Sequence, residues 1–133
     1  MARPSFLTEL LRGAEPPFAL QHVRSGRVVA TRVELALDSQ SRRRGLLGRD
    51  EFEKGAALII APCSSIHTFF MRFAIDVVFV SRDGRVLKTF STLVPWRMAF
   101  SFGAFAVIEL PAGALSQLEP RRGDVMQVTS TQT

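Results

Sequence analysis

The fold class that the sequence predicts is α+β: a mixed, strongly bent, barrel-like sheet of six or seven short strands with two or three short helices. Three observations carry it. Apolar residues recur in short runs, several of them alternating with polar ones at the period of a strand. Clusters of Gly, Pro, Ser and Asp separate these runs. Helix-capping signals precede only brief stretches. With 133 residues and 47% of them apolar, the chain suffices for one hydrophobic core, assigned to residues 18–128.

Residues 1–17 are expected to be an arm outside that core. Ser5 caps a short helix that presents Phe6, Leu7, Leu10 and Leu11 on one side, and Pro16 and Pro17 end it. Phe18–Val23 and Arg27–Leu37 then read as strands joined by a Ser25-Gly26 turn. In the second, Val29, Thr31, Val33, Leu35 and Leu37 fall on one side. Asp38 to Ser41 offer caps for a helix through Arg42-Arg43-Arg44 to Gly48. Ala56–Ile60 is a buried strand stopped by Pro62, followed by an irregular Ser-containing turn.

Ile75–Val80 carries five apolar residues in six and predicts a central strand covered on both faces. Asp83-Gly84 closes a hairpin onto a return strand, Arg85–Val94, which Pro95 ends. Residues 98–104 have no clean period and predict a loop or an edge crossing. Phe105–Leu110 is a further strand, 111–118 a short helical turn and Val125–Val128 the last strand, with 129–133 a frayed tail.

The net charge of +5 raises nucleic acid as a partner, but the excess is spread, at +3 over residues 1–60 and +2 over residues 61–133. A solvated surface accounts for it better, so nucleic acid is possible but not favoured. No apolar run approaches the roughly 20 residues of a membrane span. The first thirty residues lack the apolar core of a secretory signal, and a cytoplasmic protein is expected. A single cysteine forms no intramolecular disulfide.

The stretch from Cys63 to Ser81 holds that cysteine, His67, an aromatic cluster and Asp76. Cys63 and His67, four residues apart, supply a nucleophile and a base, or two soft metal ligands. Further metal ligands are lacking nearby and no nucleophile motif surrounds the thiol, so a buried thiol beside a hydrogen-bonded histidine is the simpler reading, and no metal is expected. Asp76 within a buried strand demands a partner, and Arg72 or Arg97 is expected to supply it. Glu109, also in an apolar strand, is expected to pair with an arginine. Trp96 beside Arg97 serves either as a ligand platform or as a cap on the core. Asp124 after Gly123 reads as a turn former. No Gly-rich phosphate loop or Ser-His-Asp sequence motif is present, and no cofactor is expected.

The chain resembles the uncharacterised prokaryotic family known as domain of unknown function 192. The matching pieces, in order, are Gly45-Leu46-Leu47-Gly48-Arg49, Ile66 to Arg72, Ile75 to Phe79 with Asp83-Gly84, Pro95-Trp96-Arg97, Glu109 to Gly113 and Gly123-Asp124. The resemblance implies a compact α+β fold with a barrel-like sheet and no established activity. Leu47 stands where relatives usually carry methionine and Ala74 where close ones carry proline; the lack of a signal peptide separates this chain from exported relatives. The expected function is binding of a small molecule or a protein by a patch of His67, Arg72, Asp76, Trp96 and Arg97. Catalysis by Cys63 with His67 as base, and nucleic-acid binding, are the alternatives.

Overall fold

The computed structural model describes Phe6, Leu7, Gly13 and residues 16–131. Among them the chain forms ten strands and one short helix: β1 (Phe18–His22), β2 (Arg27–Ala30), β3 (Arg32–Ala36), α1 (Ser39–Arg44), β4 (Ala56–Ile60), β5 (Ser65–His67), β6 (Ile75–Val80), β7 (Val86–Leu93), β8 (Met98–Phe100), β9 (Ala106–Pro111) and β10 (Met126–Ser130). The fold is therefore mostly β, with more strands and fewer helices than predicted. The strands form three open sheets, ordered β10-β1-β2, β3-β4-β9-β6-β7 and β5-β8, and no sheet closes into the expected barrel. The five-stranded sheet is mixed: β3 runs parallel to β4 and the other pairs are antiparallel.

The predicted strand 27–37 is two strands in different sheets. At the crossing point the N–H groups of Thr31 and Arg32 both donate to the Gly55 carbonyl. This hands the chain from β1 to β4, and a continuous alternation of side chains conceals the break. Asp38 caps α1, its carboxylate accepting the Ser41 N–H at 2.7 Å. The helix stops at Gly45, φ 47°, short of the predicted end at Gly48. The expected helix at 111–118 is a series of turns, and 98–104 contains a strand, β8, paired with β5. Short apolar segments without alternation gave no signal for that ribbon.

All six residues of β6 are buried, as predicted. Its two faces, like those of β9, meet different apolar clusters. Val78, Val80, Ile108 and Leu110 belong to one cluster, with Leu20, Met126 and Leu115. Val77, Phe79 and Val107 belong to the other, with Leu46, Ile60, Met71 and Ala99. Phe6 and Leu7 are buried in the first cluster, although the sequence places their arm outside the core; the rest of the predicted helix over 5–11 lies outside the described residues. At the other end, β10 runs through Ser130, and Thr131 N–H donates to the Pro17 carbonyl. Part of the predicted frayed tail is thus strand.

Candidate functional site

The register of β9 decides the environment of its acid. Glu109 lies between Leu58 of β4 and Val77 of β6, so its cross-strand neighbours are both apolar. Only 4% of the residue is exposed, and among the described residues no donor reaches its carboxyl. The arginine pair expected for it does not form; Arg49 acts on it only through its field, and is itself paired with Glu34 at 2.7 Å. Burial pushes the Glu109 pKa up to about 7, and the Arg49 charge lowers it by less. No described buried side-chain N or O atom is both sealed from solvent and unpartnered. The Glu109 carboxyl must therefore open on the cleft it lines.

That cleft, of about 160 Å³, lies under the end of α1. Leu46, Ile60 and Met71 give it apolar walls, the three arginines of α1 stand at it, and Cys63 and His67 border it. A Cβ on Gly45 would sit 4.0 Å from Glu109 Oε1, so the chain passes over the carboxyl at van der Waals distance. Three of the segments that carry the family resemblance, 45–49, 66–72 and 109–113, meet here. A second, larger cavity of about 380 Å³ lies between β2 and the 111–118 turns. Its ionisable groups, Arg27 and Lys54, are exposed, and no buried charge faces it.

The expected patch is divided by the sheet. Asp76 pairs in register with Leu110, so it faces the first cluster, away from the cleft. Its carboxylate is buried and accepts three backbone N–H groups, from Thr92 at 2.7 Å, Gly113 at 3.1 Å and Leu115 at 2.9 Å. Neither Arg72 nor Arg97 neutralises it, contrary to expectation; oriented amides do so instead. Arg72 pairs with Asp50 on the surface. His67 is exposed, stacks on Phe69 at 4.9 Å and accepts the Phe69 N–H at Nδ1. Trp96 and Arg97 stand near His67, held by Thr68: the buried Thr68 hydroxyl donates to the Val94 carbonyl at 2.7 Å and accepts the Arg97 N–H at 2.9 Å. The sequence offered no signal for this role of Thr68, since its partners lie 26 and 29 residues away. Trp96 is not a core cap: it is 55% exposed.

Cys63 is half-buried and its thiol donates to the Ser65 carbonyl at 3.0 Å. Burial raises its pKa, the opposite of an activated nucleophile. Among the described residues no three of His, Cys, Asp and Glu converge to hold a metal ion.

A Ser25-His22-Asp124 relay, which no local motif announces, joins β1 to the 121–124 turn. His22 is buried, with Nδ1 2.7 Å from Ser25 Oγ and Nε2 2.8 Å from Asp124 Oδ2. Asp124 also accepts from Arg24 and from the Arg121 N–H, and its pKa falls well below the usual carboxylate range, chiefly through Arg24. Ser25 Oγ is occupied as a turn acceptor for the Arg27 N–H. Neither cavity adjoins these residues, and the relay ties the turn to the sheet.

The comparisons with known proteins agree with the resemblance. A UPF0127 protein of Pyrococcus horikoshii is 40% identical over 62 residues, 46% of this chain and 53% of that one; the match thus spans about half the length of this curated relative. A Sinorhizobium meliloti structure, named as a candidate transcription regulator, shares the fold with a TM-score of 0.72 at 24% identity, over 84% of this chain and 91% of that one. A protein of unknown function from Novosphingobium aromaticivorans is similar with a TM-score of 0.71 at 25% identity, over 84% and 83%. The family model for domain of unknown function 192, described as an uncharacterized ACR, matches residues 20–128, and the chain belongs to that family.

Proposed function

We propose that the chain binds a small molecule in the cleft beneath α1, with Glu109 as the group that recognises it. The observation that carries this reading is a glutamate only 4% exposed as a residue, whose carboxyl has no hydrogen-bond donor among the described residues and lines a cleft. Nothing in the packing requires an acid at that position, and leaving one there is costly unless something binds it. An amine or hydroxyl on the ligand satisfies the carboxyl, while the arginines of α1 face an anionic group. A small zwitterion, or a hydroxy acid, meets both demands. His67 borders the same cleft, and Trp96 and Arg97 extend the surface beyond it. Asp76 supports the site only indirectly, by holding Thr92 near the end of β7 and the turn at Gly113 and Leu115.

A panel of amino acids, hydroxy acids, amines and monosaccharides, titrated calorimetrically against the wild type and Glu109→Gln, tests the reading. Binding of an amine-bearing member that strengthens as pH rises through 7 and weakens at least tenfold in the variant is expected. Ligands that bind both proteins alike, or perturb only the surface around Val28 and Gln117, contradict it. No observation favours the catalytic alternative over this one, given the raised pKa of Cys63. Nor does the charge favour nucleic acid: five arginines, 24, 32, 49, 72 and 85, are paired with carboxylates.

A further inference from the structure

We propose that the outer face of the β5–β8 ribbon, with the loops beside it, binds the surface of an anionic lipid membrane. Opposed residues of the ribbon share a face. Ile66 and Ala99 turn inward to the second cluster, so His67, Met98, Ser65 and Phe100 turn outward. Met98 and Phe100 are largely exposed, and Phe102, on the next turn, is 97% exposed. Rings connect this set to the neighbouring loops: His67 stacks on Phe69, Phe69 lies 5.9 Å from Trp96, and Trp96 lies 4.6 Å from Phe70, itself 72% exposed. The result is a continuous band of large apolar side chains in contact with water, far from the scattered single residues of an ordinary surface.

The backbone holds these side chains out at a cost. Phe70 and Trp96 have φ of 65° and 70°, a region that bulky residues rarely adopt and that is found where surrounding structure enforces it. The Thr68 hydrogen bonds supply that enforcement at Trp96.

Charge identifies the occupant. Residues 65–70 and 96–102, which carry the exposed side chains of the face, contain no aspartate or glutamate. Lys88 lies 5.3 Å from the Phe100 ring and Arg97 adjoins Trp96, so the apolar band carries a basic border. Neither cavity is lined by Phe70, Trp96, Met98, Phe100 or Phe102, so neither offers these side chains a pocket in which a protein partner could anchor. A bilayer surface needs none. Its headgroup region accepts tryptophan and phenylalanine side chains, and anionic headgroups attract the adjacent lysine and arginine.

Trp96 is the only tryptophan and reports on the face directly. With vesicles of equimolar phosphatidylglycerol and phosphatidylcholine, its emission is expected to shift to the blue and the protein to co-sediment. High salt and the replacement of phosphatidylglycerol by phosphatidylcholine both weaken the binding. The double variant Phe100→Ser, Phe102→Ser, both exposed and thus expected to keep the wild-type melting temperature, loses at least tenfold in partitioning. Lack of a shift and of co-sedimentation overturns the proposal, as does unchanged partitioning of the folded double variant. A blue shift that grows with protein concentration in the absence of lipid, with dimers in sedimentation, also overturns it and makes a second copy the occupant.

Discussion

Glu109 makes stability depend on pH in a direction unusual for a carboxyl. Its pKa is about 7 in the folded chain against 4.5 as its ordinary value. Well below 4.5 the group is protonated in both states and adds no pH dependence. As pH rises from there through 7, the unfolded chain releases a proton that the folded chain retains, so stability falls, by about 3 kcal/mol in all. Glu109→Gln is expected to remove that slope and to stabilise the protein at pH 8 by a similar amount, read from urea denaturation at both ends of the range. Equal slopes in the two proteins would show that the carboxyl is solvated. Asp76, by contrast, has its donors in place. Asp76→Ala leaves three N–H groups without their acceptor, one of them on buried Leu115, and is expected to cost about 2–4 kcal/mol of unfolding free energy. Cys63 is expected to alkylate more slowly than a free peptide thiol at neutral pH, because burial opposes its ionisation; faster alkylation would restore it as a nucleophile. The sequence revealed that Asp76 and Glu109 were buried acids, because each interrupts an apolar run. It could not reveal their partners, since the donors to Asp76 are backbone groups 16, 37 and 39 residues away, and the isolation of Glu109 follows from strand register.

Among the elements, the β6–β7 hairpin was the most legible, because turn chemistry and strand pattern agree there. Gly84 has φ 85°, and a Cβ at this position would lie 2.5 Å from the Met126 carbonyl oxygen and 3.1 Å from the Phe6 ring. The glycine thus admits β10 and the N-terminal arm as well as the turn. Gly84→Ala is expected to cost more than about 2 kcal/mol and to lower the melting temperature accordingly; a neutral substitution would mean that β10 does not pack there. The β5–β8 ribbon was illegible for the converse reason. Three-residue strands whose outward faces carry Met98 and Phe100 break the rule that outward residues are polar, and such a violation marks a surface with a use.

Across the whole molecule, the mixed character of the sheet and its burial on two sides followed from the apolar runs, whereas the barrel did not form. Closure would need a continuous ladder, and the chain changes sheets at Thr31 instead. The same change brings β3, and with it α1, beside β4 and β9, so that α1 roofs the cleft over Glu109. Segments far apart in sequence meet there, which is why five site residues inferred from local sequence proved to lie on two sides of the sheet. The proposal that Glu109 is a buried, protonatable group open to a ligand is tested by NMR titration of its side-chain carboxyl carbon. The expected midpoint is near pH 7 in the free protein, moving downward when an amine-bearing ligand is bound. A midpoint near 4.5, unchanged by any member of the panel, would contradict it.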